Sequence, residues 1–427
     1  MIIFLTLYLG LVSGRQPVAL QADAAVTSIN VLVDGAVMAT IDGPPWRTEI
    51  DLGPALLPHE IVAVGLNAAG AEVARASQFM NLPRRMGEID LALARDANGK
   101  PVRATLVARH IAHEKVRSVS MKLDDHPLAV DKDLTAKMPA VDMARPHVLI
   151  GETRFADGTA ARREIVFGGQ YAESAQTQLT PLVVTRTAAG DAPPPVGCFT
   201  ANGVPLSVRS VELSTADVII VRDPEPNNAY ARTRRGAMPL GAQNAIATLD
   251  DMTFAHILSP VAQHINADDE ATTLFPSSFT YDASKYGMFH ALAWSFARGE
   301  GPMPRQWTDA VAVAGVNAVA DGRRRAVVLV LGDSTDYSQH QPAIVRRYLD
   351  VLGVPLFVWS VEGPRPDLAE SWGDVDDVST IPKLREATDR IRRTLAAQRI
   401  VWVSADPFTA LRAQIKDGCG YARVAHP

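Results

Sequence analysis

Cysteine is nearly absent. The chain of 427 residues has two, Cys198 and Cys419, which excludes a disulfide-dense scaffold and any cysteine-based zinc cluster. Long apolar runs are missing as well, so no transmembrane helix is expected. Charge of one sign is not in excess. There are 42 Lys and Arg against 47 Asp and Glu, a formal net charge of −5, and this leaves no nucleic-acid footprint. The Arg-rich spots at 232–235 and 323–325 are short and read as solvated helix or loop ends. Common catalytic signatures are absent too: no G-x-S-x-G, Walker A or H-E-x-x-H motif occurs. What the chain does have is 47% hydrophobic and 21% charged residues. That balance can fill real cores in about two to four domains.

Two segments look like copies of one unit. The first holds "VTSINVLVDG" (26–35) and "LLPHEIVAVGLNAAG" (56–70). The second holds "VRSVSMKLDD" (116–125) and "ARPHVLIGETRFADG" (144–158). His59 precedes Gly70 by the spacing at which His147 precedes Gly158. Apolar and polar residues alternate at period two between turn residues, a pattern for antiparallel strands with one buried face. Two units of about 80 residues fit tandem immunoglobulin-like sandwiches. The repeated Pro-His pair reads as a strand entry that caps a turn. The second copy opens with "EIDLALARDANGKPVRATLVAR" (88–109), two strands. The counterpart in the first copy is found only in residues 1–25, with "IIFLTLYL" and "PVALQAD" as the strands. Residues 1–14 also carry the apolar core and small residues of a signal peptide, without a leading Lys or Arg. Edge strand and cleaved leader both stand as readings.

Residues 179–213 read as further strand around a bend at Pro193, Pro194 and Pro195. From Ala216 the rhythm changes. Apolar runs at 218–221, 253–258, 326–331, 355–361 and 399–405 alternate with amphipathic helices, among them 287–298, 307–321 and 383–398. Near-continuous apolar strands separated by helices predict a mostly parallel sheet covered on both faces. The expected organisation is tandem all-β immunoglobulin-like sandwiches at 1–86 and 87–170, a β-rich lead-in at 171–213, and a doubly wound, Rossmann-like α/β domain at 214–427. Ligands of such sheets bind beyond the carboxyl ends of the strands. Asp223, Glu225 and Asn227 follow one such end, and Asp333 and Asp336 follow another.

The stretches "DAVAVAGVNAVADGRRRAVVLVLGDSTDYS" and "RRYLDVLGVPLFVWSV" resemble von Willebrand factor A (VWA) domains. With the N-terminal "VDG…PPW…DLG…PH" pattern, the chain looks like exported bacterial proteins in which a VWA-related domain follows immunoglobulin-like repeats. Many VWA domains hold a divalent cation through Asp-x-Ser-x-Ser, a Thr and a later Asp. Such hydroxyl and carboxylate oxygens suit Mg²⁺. Here Asp223 fits the first Asp and Asp333 the last. Glu225 and Asn227 stand at the serine positions, and Tyr286 aligns with the Thr. The resemblance therefore implies a degenerate metal site.

Three readings of that face remain open. In the first the site is vestigial, with no cofactor. In the second Asp223, Glu225 and Asp333, with Asn227, hold a cation. Three carboxylates over-neutralise Mg²⁺, so that site would be structural and suit Ca²⁺ better. In the third Asp333, Asp336 and His340 serve a metal-dependent hydrolase. The expected function is a non-enzymatic, extracytoplasmic module that binds a protein partner, with the hydrolase as the alternative. Export would favour a Cys198–Cys419 bridge, provided the two Cα atoms lie within about 7 Å.

Overall fold

The computed structural model describes the chain apart from residues 1, 7, 9, 83–86, 97–99, 111–113, 170, 188–193, 223–243, 262, 265–272, 276, 294–303, 321, 332–334 and 425–427. The first unit is built by alternation. In Ser28–Val33 every second side chain, Ile29, Val31 and Val33, is buried. They face Val18, Leu20 and Ile50 of a second sheet across one core. One sheet has three strands, Ile2–Phe4, Arg15–Ala22 and Arg47–Asp51. The other has four, in the order Ala36–Ile41, Ser28–Val33, His59–Leu66 and Glu72–Met80. Ile2–Phe4 pairs antiparallel with residues 20–22 as the edge strand.

The second unit repeats this plan. Thr135–Lys137, Pro101–His110 and Gly87–Arg95 form one sheet. His126–Leu128, Val116–Leu123, Pro146–Phe155 and Ala160–Gly168 begin the other. This second sheet does not stop there. The 16-residue strand Tyr171–Arg186 pairs with Ala160–Gly168 through its first half and with Gln398–Ser404 through its second. Gln398–Ser404 also pairs antiparallel with Val208–Glu212.

The run "RIVWVSA" therefore does not enter the parallel sheet, as its sequence suggested. It is the middle of an antiparallel layer built from residues on both sides of the α/β unit. Val401 and Val403 pack to one side of the layer, Ile400 and Trp402 to the other. Burial on both faces gives this strand the same continuous apolar signature as a parallel one. The α/β unit is thus an insertion between Val208–Glu212 and Gln398–Ser404, and the tail after 398 belongs to the layer.

The inserted unit has a six-stranded sheet in the order Tyr281–Asp282, Thr253–Leu258, Ala216–Arg222, Arg324–Leu331, Leu356–Ser360 and Val375–Asp377. All neighbours are parallel except the edge strand Tyr281–Asp282. The described helices are α1 (Met288–Ala293), α2 (Trp307–Val319), α3 (Pro342–Leu352), α4 (Pro366–Trp372), α5 (Ile381–Ala397) and α6 (Pro407–Leu411). Val218, Ile220, Val328 and Trp359 face α1 and α5, while Ile219, Val221, Leu329 and Val358 face α2 and α3.

Arg323, Arg324 and Arg325 are not solvated. All three are buried, at 6%, 5% and 3% exposure. They begin the strand Arg324–Leu331, where chain ends with spare carbonyls converge. Arg323 donates to Asp157 O, Arg324 to Ser214 O and Leu395 O, and Arg325 to Leu352 O and Gly353 O. Unsatisfied carbonyls at helix C-termini favour such cations.

The repeated His has a clear role. Nδ1 of His59 lies 2.9 Å from Asp34 Oδ2, and Nδ1 of His147 lies 2.7 Å from Asp124 Oδ2. Each Asp sits in a turn with positive φ and also accepts from the amide after its His (Glu60) or the residue following it in the strand (Val148). The Asp124 hydrogen bond raises the His147 imidazole above its ordinary 6.5. Burial pushes Asp124 up, but His147 and the Val148 amide outweigh it and hold the carboxyl below its ordinary 3.8. The pair's contribution is therefore full between those two ordinary values. It fades as pH rises through the raised imidazole value and as pH falls through the lowered carboxyl value. We expect the urea midpoint gap between the native chain and His147→Gln to peak inside that window, at under ~1 kcal/mol because Asp124 is solvent-screened. A gap that is flat with pH would rule the ion pair out.

Candidate functional site

The carboxyl ends of the parallel strands form the candidate face. Ala216–Arg222 and Arg324–Leu331 are adjacent in the middle of the sheet. The described segments that come next in sequence pack on opposite faces of the sheet. Ile246 and Leu249 pack on one side and α3 on the other. Such a switch point opens a crevice where doubly wound sheets take ligands. Asp223, Glu225, Asn227 and Asp333 follow these two strands in sequence and lie outside the described residues.

Three loops meet beside the crevice. Val261 bridges Arg305, and Arg305 bridges Asp336. Gln306 N donates to Pro260 O at 2.8 Å, and Tyr337 N to Arg305 O at 2.7 Å. Asp336 caps α2 from a separate loop. It accepts from Trp307 N at 2.9 Å, from Thr308 N and Oγ1, and from Ser338 N and Oγ. Five donors fill a carboxylate that has about four lone-pair positions. Asp336 thus serves as the cap of the α2 N-terminus. His340 is tied to the same helix start. Its Nδ1 lies 2.7 Å from Asp309 Oδ1, and Asp309 also accepts from Gln339 N. Asp336 and His340 therefore both hold the loop to α2.

Tyr286 is not brought to this face. Ala283 N donates to Thr253 O at the first residue of its strand, and Leu249 N to Ala283 O. The 283–287 turn therefore lies at the amino end of the parallel strands. There the Tyr286 ring lies tilted against His290, with ring centroids 5.1 Å apart. A short antiparallel edge strand puts the start of α1 at the far end of the sheet, which alignment by motif does not reveal. Among the described residues no three His, Cys, Asp or Glu side chains are grouped to hold a metal.

Sequence reasoning missed two aromatic side chains. Tyr337 is 61% exposed in the loop beside Asp336, and Phe279 is 91% exposed beside the carboxyl half of Thr253–Leu258. Nothing in their spacing marks them, because their exposure depends on how the loops fold. Cys198 is buried and Cys419 half-buried. They pack in one cluster as free thiols.

The architecture defines a class: two β-sandwiches fused to a β-layer that carries an inserted, doubly wound α/β unit. No family model and no curated protein matches the sequence. Several solved structures are similar to parts of it. The fibronectin(III)-like modules of Clostridium thermocellum CbhA are 17% identical, covering 19% of this chain and 93% of theirs, with a TM-score of 0.17. The central fibronectin-III array of RIM-binding protein is 10% identical over 44% of this chain and 80% of its own, with a TM-score of 0.20. The ArnB paralog VWA2 from Sulfolobus acidocaldarius is 8% identical over 67% of this chain and 66% of its own, with a TM-score of 0.25. No helix among the described residues is long and apolar enough to cross a membrane.

Proposed function

We propose that the chain is an exported, non-enzymatic protein-binding module whose inserted unit is a VWA-type domain with a degenerate metal site. One observation carries the reading. The strands that precede Asp223 and Asp333 are neighbours at the sheet's switch point, so both acid clusters follow the crevice where such sheets bind ligands. Exposed Tyr337 beside that crevice supplies the amphipathic aromatic that protein interfaces favour.

The partner is recognised without a bridging metal. A metal-linked carboxylate needs a cation with spare positive charge, and Asp223, Glu225 and Asp333 cancel it. Unmetallated, the same acids attract Lys or Arg on a partner, and salt weakens that attraction. Pro224 and Pro226 fix two φ angles of the loop without metal. The test is capture of a partner from envelope or culture fluid. Capture should survive EDTA, weaken at high salt, and fall about tenfold or more on Glu225→Lys. Tight Mg²⁺ binding with EDTA-sensitive capture overturns the metal-free reading. Turnover of an ester, phosphate or peptide substrate that Asp333→Asn abolishes overturns the non-enzymatic one.

A further inference from the structure

A cavity of about 80 Å³ lies where the inserted unit is seated on the β-layer. Its walls come from the end of α2, the end of α3, residues 180–184, the tail, and Leu82, Gly87 and Ala160 of the sandwich units. They are mostly apolar, with Leu182, Val319, Trp402, Leu411 and Val424 among them. Three charged residues reach it: Arg325, Arg423 and Asp350. Asp350 has partners of its own. Arg423 donates to Leu411 O and Ala413 O.

Arg325 differs from these. It is 3% exposed and has no carboxylate beside it; burial alone pushes its guanidinium down to about 9, which leaves it cationic at neutral pH. Nε and Nη2 donate to Gly353 O and Leu352 O. Nη1 has no hydrogen bond to a described residue, and the residue lines the cavity. Nη1 opens onto the cavity, where water or an anion can accept from it, and an anion also supplies the counter-charge that the buried guanidinium lacks.

We propose that this cavity is a binding site for a short apolar monocarboxylate, whose carboxylate accepts from Arg325 Nη1 and whose chain lies against Leu182, Val319 and Leu411. With two guanidiniums and one carboxylate around it, the cavity favours a single negative charge. Its volume suits a short apolar chain rather than a large ring system. This site is separate from the crevice at the carboxyl ends.

Calorimetry on the full chain tests it, with octanoate as the probe and octanol and octylamine as controls. Octanoate should bind saturably and raise the melting temperature. Octanol should bind at least ~10-fold more weakly for want of the charge-assisted bond, and octylamine should not bind. Arg325→Gln should erase the preference for octanoate over octanol. Because Arg325 also caps α3, a second variant leaves it in place: Leu411→Trp, which fills the cavity, should abolish binding of both. The proposal is overturned by absent octanoate binding, by octanol binding equally well, or by octanoate binding unchanged in Leu411→Trp.

Discussion

Oxidation should join Cys198 to Cys419 and stabilise the folded chain by about 5 kcal/mol in the chain-entropy view, because the bridge closes a loop of roughly 200 residues. Local geometry supports the pairing. Cys198 is 1% exposed and packs in one cluster with Cys419. Lys416 N donates to Cys198 O at 2.9 Å, and Phe199 pairs with Ile415. Burial first, and then the Cys419 thiol bonded to it, pushes the Cys198 thiol up to about 12. Cys198 is therefore a poor nucleophile near neutral pH, and the bridge needs an oxidising compartment or an added oxidant to take up two electrons and two protons. A thiol assay on urea-denatured, unreduced protein should fall from two free thiols to none after oxidation, and the urea midpoint of the folded chain should rise. Two thiols persisting after a strong oxidant, with an unchanged midpoint, would sink the idea.

Arg162→Ala should cost about 3 kcal/mol, the lower end of the range for breaking a buried ion pair from one side. Arg162 is 9% exposed. Its Nη2 lies 2.9 Å from Glu152 and 3.0 Å from Glu212, and Nη1 bonds Ser210 Oγ. The guanidinium also lies over the Trp402 ring at 4.4 Å, while Trp402 Nε1 donates to Glu212 at 2.8 Å. One side chain thus ties the second sandwich to both flanks of the inserted unit. Its loss leaves Glu152 and Glu212 to Arg154 alone, at 3.1 and 3.4 Å, and strips the cover from Trp402. Urea unfolding should shift to lower midpoint, with sandwich and layer melting in separate steps. A loss below ~1 kcal/mol would place the network among ordinary surface ion pairs.

The parts legible in the sequence are those whose signal is local. Val327, Val328, Leu329 and Val330 form an apolar run that only a strand covered on both faces explains, and the structure places it there. The two copied units show their alternation in residues such as Ile29, Val31 and Val33. What was not legible depends on distant partners. The three arginines at 323–325 read as solvated because the carbonyls they meet come from positions 157, 214, 352 and 395. The strand holding Trp402 reads equally well as parallel or antiparallel, since periodicity does not name a neighbour. Asp336 reads as an acid at a strand end, and its five donors appear only once α2 folds against it. The strand ends before Asp223 and Asp333 were legible, since the apolar runs stop there. The anchoring residues of the face were not, because loop packing decides which side chains point out.

The position of Gln398–Ser404 also sets a clock. It is the central strand of the layer, between Tyr171–Arg186 and Val208–Glu212, yet it is made long after both of them. Roughly 200 residues separate it from Arg186, so at ~5–20 residues per second a ribosome holds the layer half-built for ~10–40 s. Throughout that interval two nascent strands expose backbone donors and acceptors that their proper neighbour has not yet arrived to meet. Any product released before residue 398 keeps those edges for good, and open edges invite pairing with other chains. A nascent chain of this protein therefore depends on shielding during translation to a degree that its first sandwich, whose strands are all made by residue 80, does not.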